Sequence, residues 1–322
     1  MLTFTIILLI LFFVGCFPYN QECGFPKEKT NLLKAILPFF ILFHHANGEV
    51  LIDFIPAGKF VVAVFFCISG YGMETKFIQT GHLSTRDLCY RQKSLFLPTI
   101  VPILFYSLVL FYMQKDVVGI FHEHFTDVSM PLPNSWFIVV LALLYCLFFI
   151  TCKFTRKQNG RVLVLSALVL ILNLVFFFFF REQTWLYASN FAFVVGVVLK
   201  MKENSVKQLI QHKVAKVILP LSLIASYLLI PVRPFAIINI SLYALVVLLM
   251  TYLVPINKTG PVLRYLGRIS YEIYLCHGII IMLFSKCMFS SYALYIIAVI
   301  ISTLVLSVMC NYTTSLLQKL SR

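Results

Sequence analysis

The sequence predicts an all-α fold, a polytopic integral membrane bundle of about eleven transmembrane helices, and three observations support this prediction. Of the 322 residues, 61% are hydrophobic and only 12% are charged, a composition that few soluble domains could bury. The apolar residues gather in stretches long enough to cross a bilayer, and the segments between them, about twenty residues at most, are too short for an independent soluble domain. The basic residues are distributed very unevenly between the two ends of these stretches.

Eleven apolar stretches are candidate transmembrane helices. They cover roughly residues 3–17, 32–47, 59–76, 95–113, 135–152, 162–180, 184–200, 214–231, 235–254, 270–285 and 290–312. Several are short or separated by tight turns, so their order is better defined than their ends.

The basic residues give an expected orientation. If the first residue lies outside, 21 of the 26 lysines and arginines fall on one side of the membrane and only five on the other. By the positive-inside rule, the N-terminus is predicted to lie outside and the C-terminus in the cytoplasm, with the protein in the plasma or inner membrane of the cell. The net charge of +14 therefore reflects topology, and no nucleic-acid partner is expected.

The first stretch, within residues 1–20, is expected to remain as an uncleaved transmembrane helix. It has no basic segment before its apolar run, and cleavage would leave Lys27 and Lys29 outside. A cleaved signal peptide is the alternative. The nine cysteines contain no C-x-x-C pair, so neither a disulfide framework nor a metal site is predicted.

The second stretch carries ionisable residues that lipid does not favour. In "KAILPFFILFHHANGEV", Lys34 precedes His45 by eleven residues, just over three turns, which places both on one face about 17 Å apart. His44 points about 100° away from that face. Lys34 is either a snorkelling anchor or a functional cation. Histidines at this depth usually line a cavity or a pathway.

Further motifs follow in order along the chain. They read "GKFVVAVFFCISGYGMETKF", "YRQKSLFLP", "NSWFIVVLALLYC" and "LRYLGRISYEIYLCHGIII". With the lysine–histidine spacing, they resemble the signature elements of the acyltransferase-3 family of membrane-bound O-acyltransferases. The resemblance covers most of the chain and implies a ten-helix acyltransferase domain at 28–316, preceded here by one extra helix. Lys34 stands where the family commonly has arginine, and Ser94 where a second arginine often follows Arg91.

The resemblance implies transfer of an acyl group, often acetyl from acetyl-CoA, to a hydroxyl of a glycan. The donor is a polyanionic substrate, and no tightly bound cofactor is expected. Lys34, Arg91, Lys93 and Arg268 all fall at the predicted cytoplasmic face, where cations suit phosphate binding; setting topology is the alternative for each. His45, with His44 beside it, is the candidate general base, because neutral imidazole removes a hydroxyl proton well near pH 7. An acyl-histidine intermediate is the competing route.

Four further residues are candidates for contact with substrate. His277, in the last motif, is either a proton relay or a buried packing residue. Tyr271 precedes it by six residues, Trp136 is either an acceptor platform or an interfacial anchor, and Ser69 lies in a small-residue segment that either packs or bends a helix. The segment "HEHF", His122 to Phe125, is expected to be a solvated loop rather than a metal site.

Two functions from different classes fit these features. The first is an acyltransferase that takes an acyl-CoA donor and a glycan acceptor within the lipid membrane. The second is a transporter of a glycan or lipid precursor, which predicts paired broken helices and acidic residues within the spans. The spans hold few acidic residues, Glu74 and Glu272 among them, so the sequence favours the enzyme.

Overall fold

The structure, a computed structural model, describes residues 27–46, 57–212, 214–228, 236–253, 260–285 and 287–320. The predicted helix at 3–17 lies outside these residues. The described helices are α1 (Lys27–Ala46), α2 (Ala57–Thr80), α3 (Thr85–Phe96), α4 (Ile100–Tyr112), α5 (Val117–Thr126), α6 (Trp136–Phe154), α7 (Gln158–Phe179), α8 (Trp185–Ala188), α9 (Phe191–Met201), α10 (Glu203–Gln211), α11 (Ala215–Leu228), α12 (Ala236–Leu253), α13 (Pro261–Arg268), α14 (Ser270–Phe284) and α15 (Tyr292–Leu320).

The predicted fold class is confirmed: every regular element of the described residues is helical, and the protein is a multi-pass membrane protein. Five described helical segments are long and apolar enough to cross a membrane, and a sixth qualifies if α13 and α14, which meet at 68°, form one broken span. Three shorter apolar helical segments lie at Trp185–Met201, Val217–Ser226 and Ile238–Thr251. The total of eleven spans stays a prediction.

Two of the predicted stretches have more internal structure than an unbroken helix. The stretch at 95–113 continues from α3 through a 3-10 turn at Leu97–Thr99 into α4. The stretch at 184–200 is divided into α8 and α9. At that division the buried Asn190 amide donates to Leu186 O and Asn173 Oδ1, each at 2.8 Å, so side-chain bonds replace part of the helical ladder.

Among the described helices, α2 and α9 bring their backbones into direct contact. A Cβ on Gly70 would overlap the carbonyl oxygen of Phe193, and one on Gly196 would overlap that of Cys67. Small residues at a crossing let two membrane helices bring their backbones into contact. The small-residue segment around Ser69 therefore serves packing, and α2 runs through it without a break.

A buried ion pair joins α2 to α7. Arg161 Nη2 lies 2.5 Å from Glu74 Oε1, and both side chains are at most 3% exposed. The Arg161 guanidinium also lies 4.2 Å from the centre of the Phe77 ring and donates to the Arg156 carbonyl. Arg161, counted above among the cations that set topology, is thus part of the packed interior.

Candidate functional site: a histidine cluster beside a cavity

Helix α1 carries both predicted catalytic histidines in its last turn. Pro38 lies inside this helix and has no amide hydrogen to donate to the carbonyl of Lys34, four residues earlier. Lys34 and His45 therefore belong to one continuous helix that contains a proline, and the ideal spacing did not take that proline into account.

Three histidines gather where α1 meets α14. The ring centres of His45 and His277 are 5.3 Å apart, and those of His44 and His45 are 4.9 Å apart. The ring of Tyr274 lies 5.4 Å from that of His277 and packs edge-to-face on Phe137 at 4.3 Å. The structure therefore brings together His44, His45 and His277, which are distant in sequence.

The hydrogen bonding of His277 fixes its tautomer. Nδ1 lies 2.5 Å from the carbonyl oxygen of Tyr274, which can only accept, so Nδ1 carries the proton of the neutral ring. Nε2 is then a bare acceptor, and it is buried without a hydrogen-bond partner among the described residues. His277 is fully buried, so this unused acceptor lies in the interior, beside His45.

A cavity of about 360 Å³ opens beside the cluster, a size typical of small-molecule sites. Three of the candidate site residues, His44, His45 and Trp136, line it together with residues that were not among the candidates. The additional residues are Ile41, Gly58, Lys59, Val62, His124, Asp127, Ser129, Asn134, Trp185 and Tyr274. The chain has only two tryptophans, and both line this cavity. That rarity is a signal that sequence reasoning could have used for Trp185.

The segment between α5 and α6 forms one wall of the cavity and has a constrained backbone. The hydroxyls of Ser129 and Ser135 lie 2.8 Å apart, and the Tyr274 hydroxyl donates to the Asn134 carbonyl. Val128 has φ of 55°, in the left-handed region that β-branched residues rarely adopt. Such conformations persist where surrounding contacts enforce them, and they cluster at functional sites.

Helix α5 corrects the expectation of a solvated loop at 122–125. The side chain of Asp116 accepts a hydrogen bond from the amide of Gly119, which caps the start of this helix. His124 is turned towards the cavity, whereas His122 is exposed. Burial lowers the pKa of His124, an effect that the nearby Asp127 and Glu123 partly offset. His124 is therefore a neutral cavity residue near pH 7.

Two polar contacts tie Gln183 and Thr184, just before α8, to residues that line the cavity. Lys59 Nζ donates to Thr184 Oγ1 at 2.6 Å, and Gln183 Nε2 donates to Asp127 Oδ1 at 2.7 Å. Among the described residues, the cavity lining thus includes one lysine and one carboxylate, each bonded to a neutral side chain. Lys59 was visible in the sequence as one of the five basic residues on the side of the membrane predicted to be outside.

The predicted donor-binding cations lie on three elements at the other end of the bundle. Gly267 packs against the backbone of Asn31, where a Cβ would clash, so Arg268 lies next to the part of α1 that carries Lys34, one turn further on. The Tyr271 hydroxyl donates to the carbonyl of Leu95 at 2.6 Å, which ties the start of α14 to α3. These two contacts bring together the segments that carry the four cations.

The four cations differ in their surroundings. Arg268 is exposed and lies 4.9 Å from the centre of the Tyr265 ring. Lys93 is exposed, Lys34 is half-buried, and Arg91 lines a separate pocket of about 220 Å³ with Lys76 and Asp87. The structure therefore places the cations on neighbouring segments, and Lys34, Lys93 and Arg268 are not among the residues that line the pocket at Arg91.

Ser69 and Tyr271 lie away from the cavity. Ser69 bonds to the buried hydroxyl of Tyr145, and Tyr271 bonds to the carbonyl of Leu95 as described. Tyr274, one turn after Tyr271, is the tyrosine of this helix that lines the cavity. Among the described residues, no group of three or more histidine, cysteine, aspartate or glutamate side chains is arranged to hold a metal ion.

Comparison with known proteins gives one match. No curated protein and no solved structure matches the chain. A family model described as an acyltransferase domain matches residues 27–312, which include the histidine cluster, the cavity and the predicted donor-binding cations. This match supports an acyltransferase over the transporter considered above. The chain belongs to the acyltransferase-3 family.

Proposed function

We propose that this membrane acyltransferase is an O-acyltransferase that moves an acyl group, most simply acetyl, from a cytoplasmic acyl-CoA to a hydroxyl of a cell-envelope or exported glycan. The observation that carries the proposal is the contact between His45 and His277 beside the cavity, in a chain that belongs to this family. A buried histidine cluster that borders an open cavity has the acceptor nitrogens and the access that acyl transfer needs.

In this proposal the donor binds at the basic end of the bundle, the end that carries Lys34, Arg91, Lys93 and Arg268. Lys34 and Arg268 attract its phosphates from α1 and α13, and Arg91 and Lys93 do so from α3, where guanidinium groups form bidentate bonds and ammonium groups act as point charges. The pantetheine arm of the donor then extends along α1 towards His45. The Lys34–His45 separation of about 17 Å along an ideal helix sets the length that this arm must cover.

His45 acts as the general base in the reaction. It removes the proton of the acceptor hydroxyl as the oxygen attacks the thioester carbonyl, and collapse of the tetrahedral intermediate breaks the carbon–sulfur bond. The proton on His45 then passes to the departing thiolate, which leaves as coenzyme A. Positioned bases of this kind typically contribute about 10²–10⁴-fold to the rate.

His277 serves as the partner of His45. Its bare Nε2 can accept the N–H on the ring nitrogen of His45 that does not act as the base, and this hydrogen bond stabilises the imidazolium that forms when His45 takes the proton. His44 lines the cavity together with His45 and helps to orient the acceptor.

The acceptor occupies the cavity. Trp136 and Trp185 offer flat apolar surfaces of the kind on which sugar rings stack, and Asp127 offers a carboxylate oxygen to hydroxyl donors. These features support a polyhydroxylated acceptor, since such a molecule has both apolar ring faces and many O–H donors.

The orientation follows from the charge distribution. With 21 of 26 basic residues on one side, the N-terminus lies outside, the C-terminus lies in the cytoplasm, and the cavity opens outwards. Donor and acceptor then reach His45 from opposite sides of the plasma or inner membrane. Reporter fusions after Lys93, Lys157 and Lys207 are expected to report cytoplasm, and a fusion near Glu123 is expected to report the outside.

The decisive experiment uses protein reconstituted in liposomes, with isotopically labelled acetyl-CoA on the side of the basic end. Glycans extracted from cells with and without the gene are compared by mass spectrometry to identify the acceptor, which is then supplied on the cavity side. We expect labelled ester to appear on the acceptor only when the protein is present. Intact acetyl-CoA and identical glycans in both cell types would overturn the proposal.

A further inference from the structure

A second large cavity lies on the far side of α9 from the histidine cluster. It is a groove of about 650 Å³ between α9, α10 and α12, and its walls are almost wholly apolar. Val195, Val198, Ile238, Leu242 and Leu245 are among the apolar residues of the lining. The volume is in the range of sites that bind small ligands.

The groove is separate from the proposed reaction site. Helix α9 packs on α2 through the contact of Gly196 with the backbone of Cys67, and it presents other residues to the groove. Helix α2 in turn contributes Gly58, Lys59 and Val62 to the histidine cavity. Because α2 and α9 stand between the two cavities, the groove does not lead to His45.

The mouth of the groove carries excess positive charge. Lys202, where α9 meets α10, is exposed and lines the groove, and no ion pair to it occurs among the described residues. The neighbouring Glu203 is already shared between Lys200 and Lys207. Burial raises the pKa of Glu203, but hydrogen bonds from Lys200 and Lys207 outweigh burial and lower this pKa to about 2. Glu203 is therefore engaged by Lys200 and Lys207, and Lys202 is the charged residue that lines the groove among the described residues.

The length of the groove corresponds to one leaflet. From Phe191 to Lys202, α9 rises about 16 Å at 1.5 Å per residue, roughly half of the hydrocarbon core of a bilayer. The groove thus begins at a cation at the membrane boundary and continues as an apolar channel to about mid-membrane.

The first-turn amides of α10 add to the attraction for an anion at this boundary. The Lys202 side chain makes no capping hydrogen bond to them, and they lie at the positive end of the helix dipole. A phosphate beside Lys202 would meet this helix end and the ammonium group together.

We propose that the groove is a binding site for one anionic phospholipid, with its phosphate at Lys202 and one acyl chain along α9. A bilayer supplies this ligand continuously, and anionic headgroups gain about 1 kcal/mol for each lysine near the surface, which corresponds to about fivefold in affinity. The lipid fills an apolar surface that water or detergent would otherwise occupy, and it joins α9 to α12.

The test measures lipid binding to delipidated protein by native mass spectrometry, with phosphatidylglycerol and phosphatidylcholine of identical acyl chains as the probes. Wild-type protein is expected to bind one phosphatidylglycerol at least fivefold more tightly than phosphatidylcholine. Lys202→Ala removes this headgroup preference, and Val195→Trp, which fills the groove, lowers the affinity for both lipids.

Two matched controls lie at the start of α7 and within it, and neither residue lines the groove. Lys157→Ala removes an exposed lysine at the start of that helix, and Val175→Trp adds the same bulk to its lipid-facing side. Both are expected to bind lipid as wild type does. Thermal unfolding without added lipid identifies any variant that has lost its fold.

Three outcomes would overturn the proposal. The first is equal affinity for the two lipids, the second is an unchanged preference in Lys202→Ala, and the third is equal loss in Val195→Trp and Val175→Trp. Each would mean that the lipids are annular only. None of these measurements depends on acyl transfer, so failure here leaves the proposed reaction untouched.

Discussion

The Glu74–Arg161 pair and the His45–His277 pair are both buried polar contacts between membrane helices, but they differ in charge balance and in access. Glu74 and Arg161 have opposite charges and bond directly at 2.5 Å, and neither lines the cavity beside the histidine cluster. His45 and His277 are two bases in ring contact, one of them with an unused acceptor nitrogen, and His45 lines the cavity.

This difference shows what separates a structural contact from a reactive one inside a membrane. A buried charge is tolerated when an opposite charge compensates for it, and the contact then holds two helices together. A buried base without a partner costs free energy, and it is retained where substrate will supply the missing partner. Gly58 and Glu74 lie on the same helix, about 24 Å apart, so α2 connects the two kinds of contact.

The strongest test of the comparison is His45→Gln, which keeps bulk and hydrogen bonding but removes the base. We expect the initial rate of acyl transfer to fall by about 10²–10⁴-fold, with donor affinity and thermal stability close to wild type. His122→Gln is the matched control, because His122 is exposed on α5 and does not line the cavity. Wild-type rates in His45→Gln would remove this residue from the mechanism. Loss of activity in His44→Gln but not in His45→Gln would make His44 the general base in place of His45.

The structural pair is expected to respond in the opposite manner. Arg161→Leu leaves Glu74 buried without its cation, which we expect to destabilise the protein by about 3–5 kcal/mol. Glu74→Leu combined with Arg161→Leu should restore most of that loss, since no uncompensated charge remains. Unfolding in detergent measures both, with Arg86→Leu, an exposed arginine on α3, as the control. Equal stability of the single variant and the control would show that the pair contributes little.

A smaller effect is expected at the basic end. Lys34→Ala should weaken acetyl-CoA binding about tenfold, because a charge-assisted hydrogen bond to phosphate is lost, whereas Lys34→Arg should retain it. Lys115→Ala, at an exposed position outside this region, is the control for net charge. If calorimetry on purified protein gives equal affinities for the alanine and arginine variants, Lys34 serves only as a membrane anchor.

Asp127→Asn sharpens the assignment of the cavity to the acceptor. We expect KM for the acceptor to rise about fivefold with kcat nearly unchanged, because an ionised acceptor forms hydrogen bonds roughly twice as strong as a neutral one. Glu123→Gln alters a carboxylate one turn earlier that does not line the cavity. A change in kcat without a change in KM would move Asp127 from acceptor binding to the chemistry itself.

The smallest effect is expected for Tyr271→Phe. This variant removes one hydrogen bond to the Leu95 carbonyl and should cost about 1 kcal/mol of stability, with little change in acyl transfer. Tyr90→Phe, at an exposed position on α3, is the control. A large loss of activity at unchanged stability would return Tyr271 to the substrate-binding role that its motif suggested.

Several elements were predictable because they depend on local composition. Apolar length and charge asymmetry predicted a helical membrane bundle, and the ordered motifs identified the family. The α8–α9 division was not predictable, since it depends on Asn190 reaching Asn173 on another helix. Pro38 was visible in the sequence, but hydropathy alone did not show that the helix continues through it.

By itself, the sequence determined the membrane environment, the helical class, the family and the identity of His44, His45 and Trp136 as cavity candidates. The environment and helical class follow from hydropathy and charge, the two histidines from spacing along one helix, and the family and Trp136 from motifs that resemble those of the family; all are properties of neighbouring residues. Only the tertiary structure decided that His277 faces His45, that Asp127 and Trp185 complete the cavity, and that Arg161 is an interior ion-pair partner. Those contacts join helices far apart in the chain, and helix periodicity does not define which faces of two such helices meet.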